Sequence, residues 1–416
     1  MRRPVVFFLI FIIILAFFSI NLDCKSKSIK DYKKIEIEGT VKNYERKEKY
    51  IKYYIDKTMV VSFKKVDNNI KIGDRVKVFG KEENLHNFFI KDFNYGRQLL
   101  SKGTERYIIL DKINIVGKDK FYTALGGIKE RAISINKYLY KEKSDLLNAI
   151  LLGEKSGIEK ETYDLFSDSG TSHILAISGL HITIICSILI LLKGRVNSVS
   201  SFIVLSLVLI LYNIMVGSGA STSRAVTLSI FSFFVFFIDK KIDKITTLSI
   251  IAITMIISNK YIVYNISFQL SFLAVLSLVV YTKYIKIFLY SDILASTLSA
   301  NILTAPIVAN VFKTFSIVGI LGNIVAIPFI GVIIFLDIAS IIIFFINLKF
   351  AIFIADINSS IFSLIIFALE RIGDYGKNNI YFSGNIFKFV VVYYSIAFIL
   401  ALVLERYMIN KNKFNI

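Results

Sequence analysis

Ser169-Gly-Thr-Ser-His-Ile-Leu-Ala-Ile-Ser-Gly-Leu-His-Ile182 is the stretch on which the reading of this chain turns. From His173 it runs into apolar sequence as far as Leu192, long enough for one membrane helix. Two of the chain's three histidines, His173 and His181, lie in it. Ionisable residues at membrane depth are costly and point by default to function. In one continuous helix, eight positions set the two rings about 80° apart, on one broad face. Ser178 and His181 then become i,i+3 neighbours. Ser178-Gly179 in mid-span allows a close helix contact or a local break. The competing reading is a packing seam with two hydrogen-bonded neutral histidines.

Downstream the pattern repeats. Spanning stretches are expected at about 173–192, 202–217, 222–238, 245–258, 264–281, 293–311, 316–346, 350–369 and 387–404. The stretch 316–346 is too long for one simple crossing and contains Gly319, Gly322, Pro328 and Gly331. A broken or re-entrant segment is expected there, where protein or a water-filled cavity covers the freed backbone. Upstream, Pro4–Ile20 is an unbroken apolar run behind Met1-Arg2-Arg3 and reads as an uncleaved first membrane helix.

Between these membrane parts the chain is polar. Over 21–120, five runs are alternating or β-branched and aromatic: Lys34–Val41, Lys49–Ile55, Thr58–Val66, Asp74–Lys81 and Arg106–Val116. Five short strands suit a small OB-like barrel. Residues 121–169 read as amphipathic helices, none able to span, lying at the membrane interface or capping the bundle. The expected fold class is therefore a polytopic α-helical membrane protein with a small extracytoplasmic all-β, OB-like N-terminal domain. Its parts are a first helix at 1–20, the β domain at 21–120, interfacial helices at 121–169, a membrane domain at 170–407 and a basic tail at 408–416.

Composition agrees. The 416 residues are 55% hydrophobic yet carry a net charge of +19, and mean hydropathy is +0.63. That excludes an ordinary soluble domain and intrinsic disorder, and two cysteines exclude a disulfide scaffold. The β region holds 24 Lys and Arg against 15 Asp and Glu, about half of the excess. Much of the remainder falls in short loops: Arg2-Arg3, Lys193-Arg195, Lys240-Lys241-Lys244, Lys283-Lys286 and Arg406-Lys411-Lys413. If every stretch crosses, these loops share one side, which the positive-inside rule makes cytoplasmic. Both termini are then cytoplasmic and the β domain faces outward across the cytoplasmic membrane.

Three more polar sites stand in or beside the spans. Arg224, in Gly217-Ser-Gly-Ala-Ser-Thr-Ser-Arg224, can clamp phosphate bidentately or simply snorkel to the interface. In Asn265-Ile-Ser-Phe-Gln-Leu-Ser-Phe272, Asn265, Ser267, Gln269 and Ser271 spread polar groups around a helix, which suits water or other helices better than lipid. Pro306, Asn310, Asn323 and Pro328 read as a hinge or re-entrant turn lining a path, or as a kinked packing helix.

The combination of Ser172-His-Ile-Leu-Ala-Ile-Ser-Gly-Leu-His181, Ala220-Ser-Thr-Ser-Arg-Ala225, Ser267-Phe-Gln-Leu-Ser-Phe272 and Pro306, Asn323 and Pro328 resembles the membrane competence domain of the ComEC-type DNA-uptake channel family. Leu151-Leu-Gly-Glu154 precedes them in the family's order, and Asp92-Phe-Asn-Tyr95 with Gly103 resembles its N-terminal region. Asn265 departs from the acidic residue or Gly context expected in the third motif. The resemblance implies a channel passing single-stranded DNA across the cytoplasmic membrane during natural transformation. It implies a separate cytoplasmic ATP-driven motor and a membrane DNA receptor as partners, beside membrane lipid, and leaves open a separate nuclease and a homo-oligomer. Members often carry a metallo-β-lactamase-like domain after the spans. No His-x-His-x-Asp-His motif and no phosphate-binding Gly-x-x-x-x-Gly-Lys loop occurs here, so no metal site, cofactor or enzymatic activity is expected.

Physical chemistry fits that cargo. Binding DNA without sequence preference needs cations for phosphate and rings for bases. The outward domain offers Lys42, Tyr44, Arg46, Lys47, Lys49, Tyr50, Lys52, Tyr53 and Tyr54 in one short stretch, although an ordinary solvated strand pair has the same look. The membrane path is expected at His173, Ser178, Gly179, His181, Arg224, Ser267, Gln269, Ser271, Pro306, Asn323 and Pro328. Two alternatives remain. One is a transporter of small anions with Arg224 as clamp. The other is an intramembrane serine hydrolase, since Ala176-Ile-Ser-Gly179 is one residue from Gly-x-Ser-Gly.

Overall fold

The computed structural model describes residues 33–414 apart from 48, 64–69, 91–92, 178, 194–198, 238–243, 290, 316–317, 377–379 and 383–386, together with Ile10 and Ile13. Ser178, most of the Pro4–Ile20 run and the Asp67-Asn68-Asn69 turn lie outside the described residues.

Five strands close into a barrel: β1 (Lys33–Arg46), β2 (Ile51–Ile55), β3 (Thr58–Ser62), β4 (Asp74–Glu83) and β5 (Arg106–Lys118). Their order around it is β1-β2-β3-β5-β4. All neighbouring pairs are antiparallel except β3 with β5. This is an OB-like arrangement, as the five β-rich runs required. Alternation sends Val41, Tyr53, Ile55, Val60, Val76, Val78, Ile108 and Leu110 inward as one apolar core. β1 runs five residues past its expected end, with a bulge between Val41 and Asn43. A bulge bends a strand. The far half of β1 then pairs with β2, Tyr44 opposite Tyr53 and Arg46 opposite Ile51.

A short helix, α1 (Tyr95–Ser101), is inserted before β5. After the barrel come α2 (Lys120–Tyr140), α3 (Ser144–Leu152) and α4 (Lys160–Asp168). Asp119 caps α2 by accepting from the Tyr122 N–H at 3.0 Å. Gly153, at φ +69°, ends α3 in the left-handed conformation that glycine tolerates best. These helices do not stand apart from the bundle. Ile135, Leu139, Leu147, Ile150 and Phe166 share one core with Ala326, Ile330, Ile333, Ala355 and Phe362 of the long helices.

The rest is helical: α5 (Gly179–Lys193), α6 (Val199–Met215), α7 (Ala220–Phe237), α8 (Lys244–Ser258), α9 (Ile266–Phe288), α10 (Asp292–Phe312), α11 (Val318–Phe344), α12 (Leu348–Gly376) and α13 (Phe387–Phe414). Among the described residues, five stretches, in α9 through α13, are long and apolar enough to cross a membrane, and α5, α6 and α8 are shorter apolar helices. The protein is a multi-pass membrane protein.

Two expectations fail. α11 is one uninterrupted helix of 27 residues with Pro328 inside it, not a broken or re-entrant segment. Its glycines serve packing. The turn Ser169-Gly170-Thr171 sits directly on its first turns, where a Cβ on Gly322 would collide with the Ser169 carbonyl and one on Gly170 with Gly319 Cα. Conversely, the stretch from His173 is not one continuous helix. A 3-10 turn covers Ser172–Leu175, Ala176 is extended, and α5 starts at Gly179. The 80° relation between His173 and His181 therefore does not hold.

Candidate functional site

The segment 169–182 positions the first group. Ser169 and Thr171 are fully buried and their hydroxyls meet at 2.8 Å. Ile174 and Leu175 of the 3-10 turn point into the core. His173 is exposed, whereas His181, on the first turn of α5, is 1% exposed. The break thus places the two histidines on separate elements, the 3-10 turn and α5. Gly179 opens α5 with no atom within 4 Å of where a Cβ would stand.

Arg224 supplies the second group. It lies in the second turn of α7 and is 4% exposed, and its Nε and Nη1 have no hydrogen-bond partner among the described residues. It does not snorkel. The turn before it is pinned: Asn213 and Ser223 bond side chain to side chain at 3.2 Å, and Gly217 and Ser218 take positive φ. α5 and α7 pack through Ile182, Ile185, Cys186 and Val226. His181 and Arg224 are thus both buried, one on each of two helices that pack together. A guanidinium buried with two nitrogens lacking acceptors among the described residues is expensive, and a bidentate oxyanion is its natural complement.

The third motif works at a junction. Asn265 caps α9, accepting from Phe268 N–H at 3.1 Å, and its amide reaches the Ser101 carbonyl at 3.4 Å. Gln269 donates to the Val263 carbonyl at 2.7 Å. Asn259 donates to the Leu100 carbonyl at 2.8 Å and Arg97 lies over the Tyr264 ring. The α8–α9 connection is thus the seat of α1. Ser267 is exposed and Ser271 half-buried. Pro306 is buried inside α10, Pro328 is exposed on α11, and Asn323 is half-buried with Oδ1 unpartnered among the described residues.

On the barrel, the far ends of β1 and β2 carry the cations. Lys42 is tied to Asp56 at 3.2 Å, and elsewhere Arg75 pairs with Glu38 and Lys77 with Glu36. Arg46, Lys47, Lys49 and Lys52 form no ion pair with a described residue. Arg46 lies 5.1 Å from the Tyr44 ring and Lys52 5.4 Å from Tyr50. Tyr53 is 3% exposed in the barrel core, so it cannot present a ring to a base. Tyr54 donates to Glu45 at 2.9 Å, and burial followed by that carboxylate holds its phenol well above the usual range. Phe63, which the sequence did not single out, is 61% exposed and edge-on to Tyr50.

Sequence reasoning also passed over a buried polar knot between α2, α3, α11 and α12, formed by Asn136, Asn148, Asp337 and Asn358. The signal was present: Asp337 is a carboxylate inside a helix of mean hydropathy 2.7.

A family model described as "Competence protein" matches residues 150–407. ComE operon protein 3 of Bacillus subtilis (strain 168) is 25% identical over 191 residues, which cover 45% of this chain and 25% of that protein. The match spans only a quarter of that relative's length. No solved structure matches the chain.

Proposed function

The chain belongs to the Competence protein family, and from that premise we propose that it conducts single-stranded DNA across the cytoplasmic membrane during natural transformation. In this reading the strand meets the outward barrel at Arg46, Lys47, Lys49 and Lys52, then passes the region of His181 and Arg224. The chain conducts and does not cut. A cytoplasmic ATP-driven motor and a membrane DNA receptor are the partners this implies.

The observation that carries the proposal is Arg224, buried at 4% exposure with two guanidinium nitrogens unpartnered among the described residues. A phosphate passing α7 supplies the missing acceptors, and the fixed planar fork suits its oxygens better than an ammonium would. The test is uptake of labelled DNA into DNase-resistant form by cells carrying Arg224→Ala or Arg224→Lys, at matched membrane levels. We expect uptake to fall about a hundredfold for alanine, from losing about 3 kcal/mol at a buried charged contact. Lysine should restore only part. Wild-type uptake with Arg224→Ala would remove this residue from the path. Loss of small-anion flux with DNA uptake intact would favour the transporter reading.

A further inference from the structure

We propose that Asp337, with Asn136 and Asn358, forms a binding site for a small monovalent cation, sodium or a proton, that ties α2 and α3 to the α11–α12 pair.

Four elements converge here, and every participant is buried. Asn136 and Asn358 are 0% exposed, Asn148 and Asp337 1%, Ser340 0% and Tyr140 4%. Part of the knot is internally satisfied. The Asn136 amide donates to Asn148 Oδ1 at 3.1 Å and to Asp337 Oδ2 at 3.4 Å. The Asn358 amide donates to Tyr140 Oη and to the Ile333 carbonyl, both at 3.2 Å. The Tyr140 and Ser340 hydroxyls meet at 2.8 Å, and Ser340 donates to the Asp337 carbonyl at 2.8 Å.

What is left over has a sign. Asn136 Oδ1, Asp337 Oδ1 and Asn358 Oδ1 have no partner among the described residues, against one donor atom, Asn148 Nδ2. Buried polar groups are ordinarily paired, and several orphans in one cluster call for an explanation. Three orphan acceptors call for a species that offers positive charge or protons and accepts nothing. The protein does not supply it. No lysine, arginine or histidine among the described residues is within ion-pair distance of Asp337. The nearby charged groups have other partners. Lys129 of α2 pairs with Glu154 at 3.5 Å, and Lys143 bonds the Ser359 carbonyl and the Ser363 hydroxyl. Tyr140 faces the site from α2. Tyr212 of α6 also lies within electrostatic range of Asp337, and its hydroxyl donates to the Leu151 carbonyl.

The donor set selects the ligand class. Carboxylate and amide oxygens suit hard cations, not soft metals. One carboxylate balances one positive charge, and surplus charge at membrane depth is costly. A proton meets the same demand by turning Asp337 into a donor toward an amide oxygen.

The test uses the full chain in nanodiscs, with no DNA. Thermal unfolding is followed while sodium chloride replaces choline chloride at constant ionic strength, at pH 8.5 and pH 6. We expect sodium to raise the wild-type Tm by about 3 °C or more, with a higher midpoint concentration at pH 6 because protons compete. Asp337→Asn should abolish both effects. Asn358→Ala, which keeps the carboxylate, should raise the sodium midpoint about tenfold. If Tm rises with falling pH but ignores sodium, the ligand is the proton. A wild-type Tm indifferent to both ions overturns the proposal, as does an unchanged sodium response in Asp337→Asn.

Discussion

Single glycines separate packing from function most sharply. Gly170 sits at φ +68°, and a Cβ there would run into Gly319 Cα. Gly170→Ala should therefore destabilise the protein by about 2 kcal/mol or more, through the disfavoured backbone and the collision together. The check is unfolding of the purified full chain. Gly179, in the same motif, has nothing within 4 Å of its would-be Cβ. Gly179→Ala should leave Tm within the spread of a neutral surface change, about 0.5 kcal/mol. If the Ser178-Gly179 step belongs to the path, DNA uptake falls while stability holds, and unchanged uptake removes Gly179 from it. The sequence singled out only Gly179, as a place of close contact or a local break, and attached no reading to Gly170. A glycine needed for contact and one needed for clearance look alike without their neighbours. Arg224 was similarly two-sided: snorkelling and clamping differ in burial, and burial is a tertiary property.

Among elements, the β1–β2 hairpin has the clearest consequence. Its Arg46 and Lys52 lie over Tyr44 and Tyr50 without ion-pair partners among the described residues. If both contact phosphate, replacing them with alanine should flatten the dependence of log affinity for single-stranded DNA on log salt by about 1.4, at about 0.7 per phosphate. Anisotropy titrations of the full chain across a salt series measure that slope. An unchanged slope sinks the phosphate contacts, and Tyr53→Phe, inside the barrel, should leave it alone. The barrel was legible because each strand repeats at period two and turn residues punctuate it. The helices were less so. Gly and Pro in α11 suggested a break, yet the glycines accept the 169–171 turn and Pro328 sits on an exposed flank. The real break, at Ala176, falls just before the Ser178-Gly179 step, where the sequence allowed either a close contact or a break. Hydropathy reports the solvent around a segment, and it is silent on whether the backbone there is helical. For the same reason Asp337 was the most informative residue left unweighed: one carboxylate barely moves a hydropathy average, and two of its amides, Asn136 and Asn148, come from helices about two hundred residues away, the third, Asn358, from the next helix.

Taken whole, the molecule has an orientation that can be argued from contacts as well as charge. A Cβ on Gly217, in the α6–α7 turn, would strike Asn43 of β1, and α1 is seated on 259–265, between α8 and α9. Thr314-Phe315, after α10, pairs with Ile380-Tyr381, after α12. If every apolar helix crosses, these four connections lie on one side and the basic clusters at 193–195, 240–244 and 283–286 on the other, which would set the barrel opposite those clusters. Long translocated domains are exempt from the positive-inside rule and short loops are not. On that topology the charge of +19 would divide between two jobs: loop cations on a cytoplasmic side, and barrel cations available to an anionic cargo. In a chain with Cys24 and Cys186 replaced by alanine, Lys313→Cys should react with an impermeant thiol reagent added to intact cells, and Ser291→Cys only after the membrane is opened. Thr314→Cys with Tyr381→Cys, opposite each other in register, should join under mild oxidation. The reverse labelling pattern would place the barrel in the cytoplasm and leave its exposed cations facing the exit of the path instead of its entrance. A correct pattern without the crosslink would keep the orientation but break the argument that α11 and α12 leave and return to one face as a pair.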